Sequence, residues 1–247
     1  MVRKTDWERD VVYLYQVPRA GCVPSVSPFC LKLETWLRMA DVNYKNINAG
    51  FRARSSRGQV PFVELNGEEL ADSHFIIQRL TEVFHKESME AHMDEEAKAA
   101  AYAFYRLIEQ SLLWSMQRLA LPNSGEYLKD NVMGKSLPSA VKFAMPVIGW
   151  QFKRSARSRQ FSQGIGRYTE SEVLELGQKD LKSLSTYLGK KRFFTGDTPT
   201  LLDATAFGHL APLWYVPIES ELKKFFGSEC TNLVDFLERV KSTYWPD

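Results

Sequence analysis

Pro24-Ser25-Val26-Ser27-Pro28-Phe29-Cys30, downstream of the apolar run Val11-Val12-Tyr13-Leu14-Tyr15, is the stretch whose reading decides the fold. The run reads as a strand, and Ser27-Pro28-Phe29-Cys30 as the start of a helix with proline in its first turn. The spacing is that of a C-x-x-C pair whose first cysteine has become Ser27. Such a pair is a redox device, because helix N-terminal amides and the helix dipole stabilise a thiolate. With serine first, a disulfide cannot cycle within the motif. The same amides can still hold a thiolate that a ligand supplies.

Working outward, the chain has 247 residues, enough for one large domain or two ordinary ones. A hydrophobic content of 44% and a charged content of 25% fit a soluble globular protein with a substantial core. A net charge of +2 gives no case for nucleic acid or an anionic membrane surface. Cys22, Cys30 and Cys230 are too few for a disulfide framework and fit a reducing compartment, so a cytoplasmic protein is expected. Residues 1–10 alternate charge and lack the apolar centre of a signal peptide. Leu201 to Ile218 is interrupted by Asp203, His209 and two prolines, so no transmembrane segment is expected.

Two domains are expected, over residues 11–85 and 94–244. In the first, Val11–Gln16 reads as a buried strand, Pro28–Ala40 as a helix with Phe29, Leu33, Trp36 and Leu37 on one side, and Val42–Ile47 as a second strand. Pro61–Leu65 and Glu68–Ala71 flank Asn66-Gly67, the strongest short-range hairpin signal. A helix over Ser73–Phe84 follows. The order β-α-β-(x)-β-β-α is that of a thioredoxin-like unit, and residues 85–93 read as a connection. No strand is expected beyond Asp94: helical patterns cover Asp94–Leu121, with Ala97, Ala101, Phe104, Ile108 and Leu112 on one face, and then 137–158, 169–189, 200–211 and 231–244. Gly164, Gly166, Gly189, Pro212 and Pro217 read as stop signals. The fold class is therefore α/β plus all-α.

Three further motifs carry chemistry. Val60–Pro61 admits two readings: a cis peptide turning the Val60 backbone toward an extended peptide ligand, or a trans proline opening an edge strand. Asp72-Ser73 reads as a helix cap, or as a receiver for a ligand's carboxylate and amino groups at a helix N-terminus. Thr200 with Asp203 is a capping box with aspartate in the usual Glu or Gln position, a folding device.

In this order and at these spacings, the four pieces resemble a cytosolic glutathione transferase, with a thioredoxin-like domain and a C-terminal helical bundle, from Val11 to about Lys241. The stretch Val17–Ser25 before Ser-Pro-Phe-Cys, together with Ala71–Ile77, is similar to the failed-axon-connections branch, related to metaxins and to nematode cadmium-responsive proteins. The resemblance implies glutathione as co-substrate, with no metal: Val60 and Pro61 against its cysteinyl part, Asp72 and Ser73 at its γ-glutamyl end, and Gln59 with Arg57 on the rest. Ser27 falls where omega-type relatives place a cysteine, and Ser25 and Cys22 are rival thiol partners in an unusually long turn. A hydroxyl donor beside helix-end amides favours the thiolate of a group whose ordinary pKa is about 8.5. The thiolate would then attack a small apolar electrophile against Phe104, Tyr105, Ile108, Trp114 and Trp214. A homodimer is implied by resemblance alone.

Two other classes stay open: a non-catalytic metaxin-like adaptor on the same fold, and a thiol transferase using Cys22 through a mixed disulfide. Lys153, Arg154, Arg157, Arg159 and Arg167 form a basic cluster that reads as a solvated helix end or an anion-binding surface. No histidine shows metal-ligand spacing, and Cys30 reads as a core residue.

Overall fold

The computed structural model describes residues 3–48, 53–120 and 139–246. Four strands, β1 (Val12–Gln16), β2 (Tyr44–Asn48), β3 (Phe62–Leu65) and β4 (Glu68–Ala71), form one sheet in the order β2-β1-β3-β4. β1 pairs parallel with β2 and antiparallel with β3, and β3 and β4 form the hairpin. Asn66 and Gly67 take φ of 51° and 83°, the positive pair that a two-residue hairpin turn demands. Helices α1 (Pro28–Met39) and α2 (Ser73–Val83) cover one face, burying Leu33, Trp36, Leu37, Ile76 and Leu80 against Val12, Leu14 and Val63.

The other face carries Tyr13, Tyr15 and Phe62, the last two stacked with centroids 4.6 Å apart. Its cover is the amino-terminal segment, which sequence reading left as featureless. Glu64, buried on this face, accepts the N–H groups of Arg3 and Lys4 at 2.6 and 2.9 Å and the Tyr15 hydroxyl at 2.9 Å. The Arg3 guanidinium lies 4.4 Å from the Phe62 ring centroid. A buried carboxylate is tolerable when its lone pairs are filled in this way.

Beyond a short 3-10 turn (Glu87–Glu90) lie helices α3 (Glu95–Leu107), α4 (Leu113–Ala120), α5 (Ser139–Gln163), α6 (Glu170–Leu188), α7 (Leu201–Tyr215), α8 (Glu221–Glu229) and α9 (Thr231–Tyr244). The single helix expected over Asp94–Leu121 is interrupted by a π-helical turn, Ile108–Leu112; Leu121 lies outside the described residues, as do positions 137 and 138. Helix α8 was not expected from the sequence. Pro212, read as a stop, stands inside α7, which continues to Tyr215. As expected, Asp203 receives the N–H and hydroxyl of Thr200, at 2.8 and 2.9 Å, and it also binds the Phe194 N–H at 2.8 Å.

The two hydrophobic cores exchange residues across their junction. Leu31 of α1 belongs to the helical core and Ala204 of α7 to the sheet core. Helix α1 is the shared wall: α7 approaches so closely that a Cβ on Gly208 would stand 2.6 Å from the Lys32 nitrogen. The carboxy-terminal end closes over the other side of α1. Trp245 donates to Thr35 Oγ1 at 3.2 Å and packs under the Arg38 guanidinium, 3.8 Å from the ring centroid.

Candidate functional site

A cavity of about 390 Å³ opens where the loop before β3, the start of α2 and the α3 to π-turn segment meet. That size is within the range of small-molecule pockets. Arg57, Gln59, Val60, Pro61, Asp72 and Ser73, six positions picked from the sequence, all line it. The Val60–Pro61 peptide is cis, the first of the two readings offered for it.

Asp72 caps α2, its carboxylate accepting the His74 N–H at 3.0 Å. Its backbone, at φ 78° and ψ 122°, lies where a non-glycine residue costs on the order of 1–3 kcal/mol. Strain of that kind concentrates at binding sites. Ser73 is buried at the first position of α2, at the positive end of its dipole. Arg57 stands 3.9 Å from the Asp72 carboxylate and 4.9 Å from the centroid of Phe75.

The thiol partners are placed differently. Ser27, Ser25 and Cys22 are absent from the cavity lining; from α1 it is Phe29 that reaches it. Ser25 is fully buried and accepts the Ser27 N–H at 3.2 Å. Burial pushes the Cys30 thiol up to about 11, with Ser27 and Ser25 opposing the rise. That fits its expected core role. Cys22 is exposed in the turn between β1 and α1. Tyr13 and Tyr15 are strand residues: Tyr13 accepts the Glu8 N–H at 2.8 Å, while Tyr15 donates to Glu64.

Of the side chains expected to bed an electrophile, Tyr105 alone lines the cavity. Ile108 is buried in the helical core, and Phe104 stacks on Tyr187 with centroids 4.2 Å apart. Trp114 packs against the same core, and Trp214 tilts against Phe226 at 5.7 Å. The reason is helical phase: Phe104 and Ile108 share the face that packs inward, so they cannot also face the cavity. The residues that do are Tyr102, Tyr105, Arg106, Glu109 and Gln110.

Sequence reading missed the buried charges at the floor. Lys32, with no exposed surface, donates to Glu109 Oε1 at 2.8 Å. Its ammonium lies 4.6 Å from the Tyr105 ring centroid, and burial lowers its pKa. Burial, followed by the nearby Glu109 carboxylate, raises the Tyr105 phenol's pKa. The available signal was Lys32 between Leu31 and Leu33, a cation inside an apolar run of α1. Glu109 gave none, because the π-turn adds a residue and buries it beside Ile108.

Behind Phe29, which meets it edge-on at 5.3 Å, His209 is fully buried, and its Nε2 has no hydrogen-bond partner among the described residues. Burial pushes its pKa down to about 4, with Glu109 opposing and Lys32 assisting. The unfolded chain binds this proton below about pH 6.5 and the folded one does not until about 4. This residue's contribution to stability therefore falls as pH drops from 6.5 to 4. Denaturation midpoints across that window are expected to decline, and His209→Phe to flatten the decline. An unchanged slope in that variant would remove His209 as the cause.

Residues 28–124 match the family model for the Glutathione S-transferase N-terminal domain, and residues 177–240 that for the Glutathione S-transferase, C-terminal domain. The chain is 36% identical to Failed axon connections of Drosophila melanogaster over its whole length, spanning 61% of that protein. It is 30% identical to an isoprene-epoxide–glutathione S-transferase of Rhodococcus sp. (strain AD45), covering 94% of this chain and 98% of that one. Metaxin-2 of Mus musculus is 23% identical over 98% of this chain and 91% of its own. Among solved structures, glutathione transferase GSTFuA3 of Phanerochaete chrysosporium has the same fold, with a TM-score of 0.64 at 15% identity, covering 95% of this chain and 98% of that one. No helix among the described residues is long and apolar enough to cross a membrane. By its two matched domains and its full-length relatives, the chain belongs to the glutathione S-transferase family, in the branch of Failed axon connections and the metaxins.

Proposed function

We propose that the protein binds glutathione in this cavity and transfers its thiolate to a small electrophile. The observation that carries the reading is the convergence of Arg57, Gln59, Val60, Asp72 and Ser73 on one cavity beside a cis Val60–Pro61 peptide. Glutathione is an extended tripeptide with an ammonium and a carboxylate at one end and a second carboxylate at the other. Asp72 suits the ammonium, and Ser73 at the start of α2 suits the neighbouring carboxylate. Arg57 and Gln59 suit the far carboxylate. The sulfur then lies toward the start of α1, where Ser27 and the first-turn amides favour its ionised form.

Calorimetry with glutathione is expected to give a dissociation constant below about 1 mM, and Asp72→Ala to weaken it about tenfold, the scale of one charged hydrogen bond. Turnover of a chloro-dinitroarene is expected to accompany binding. Absence of heat at several millimolar tripeptide would end the reading. A non-catalytic binding protein is the second reading, favoured by one observation: neither Ser25 nor Ser27 lines the cavity. Binding without turnover, unaltered by Ser27→Ala, would select it.

A further inference from the structure

We propose that the second ligand of this cavity, the group borne by or transferred to the glutathione sulfur, is polar and carries a carboxylate that Arg106 receives; this rests on the glutathione reading above. The helical-domain wall comes from one face of α3 and the π-turn: Tyr102, Tyr105, Arg106, Glu109 and Gln110. It contains no aliphatic side chain. An apolar group pressed against it would strip water from a guanidinium, an amide and phenols without replacing their hydrogen bonds, at about 1–3 kcal/mol for each group left unpaired.

The charges select an anion. Glu109 is held by Lys32 at 2.8 Å, so its charge is already answered inside the protein. Asp72 and Arg57, 3.9 Å apart at the mouth, are taken by the tripeptide's ammonium and far carboxylate in the reading above. Arg106 is exposed at the wall and makes no hydrogen bond or ion pair among the described residues. A guanidinium offers a planar fork that matches a carboxylate with two parallel hydrogen bonds. Beside it Tyr102, 60% exposed, presents a ring on which an elongated substituent can lie.

The test compares two S-substituted glutathiones of equal length, S-hexyl and S-(5-carboxypentyl), by calorimetry on the intact chain. The carboxylate-ended ligand is expected to bind about tenfold more tightly at low salt, the scale of a charge-assisted hydrogen bond. That preference should shrink as ionic strength rises, and Arg106→Gln should bring the two affinities level. If the hexyl conjugate binds as tightly or more tightly while glutathione itself binds, the carboxylate inference falls and the glutathione reading stands. A carboxylate preference that survives in Arg106→Gln overturns the assignment to Arg106. If none of the three ligands binds, both readings fall.

Discussion

Replacing Glu109 by alanine is expected to cost about 3–5 kcal/mol of folding free energy, the usual consequence of leaving one partner of a buried ion pair alone. Lys32 has no exposed surface, and Glu109 is its ion-pair partner at 2.8 Å. The orphaned ammonium must then either lose its proton or draw water into the junction of the two cores. For a chain of this length the cost corresponds to a drop of roughly 10 °C in melting midpoint. Lys32→Met alone should be costly too, because it leaves the carboxylate unpaired. The double variant Lys32→Met, Glu109→Leu is expected to recover most of the loss, since an apolar pair of similar volume carries no desolvation penalty. Denaturant melts of the two single variants and the double variant decide the matter. A Glu109→Ala cost below about 1 kcal/mol would show that the pair is hydrated in solution.

Gly208→Ala is expected to be strongly damaging, because it forces apart the two helices at the junction of the cores. Its new Cβ would stand 2.6, 2.7 and 2.8 Å from the N, Cα and Cβ of Lys32. Two of those three atoms are backbone, so no rotamer change makes room, and α1 and α7 must separate. Overpacking of this kind costs about 1–3 kcal/mol, occasionally more, even after alanine's higher helix propensity is credited. Gly177→Ala is the control. Its Cβ would meet Leu222 methyls at 3.1 and 3.2 Å and the Ser115 Cβ at 3.2 Å, and Leu222 can turn aside. Melting midpoints should fall further for Gly208→Ala than for Gly177→Ala, and glutathione affinity should fall with them, because Lys32 underlies the cavity. Equal midpoints would mean that α7 yields without strain.

Where the chain's chemistry acts over a few residues, the sequence was legible. Asn66-Gly67 dictated the β3–β4 hairpin because few residues other than asparagine and glycine accept two successive positive φ values. Pro28 at the first position of α1 and the Thr200–Asp203 box marked two helix starts for equally local reasons. Positions 57, 59–61, 72 and 73 were named together because the resemblance implied a site there; they meet because they lie on the two short segments that flank β3 and β4. Helix α8 escaped notice because it is a nine-residue segment following Pro217 with two buried side chains, Leu222 and Phe226, too few to set a period. Pro212 misled because its neighbours hold α7 together through the turn that it weakens.

By itself, then, the sequence determined the fold class, the hairpin and the helix starts, all consequences of backbone chemistry within a few residues. The tertiary structure alone decided which face of α3 meets the cavity, that Lys32 finds Glu109, and that neither serine of the turn lines the cavity. Lys32 and Glu109 are 77 positions apart, and a π-turn shifts the helical phase at the second of them. Pairing across such a separation is set by how α7 brings α1 and the π-turn together, which no local pattern encodes.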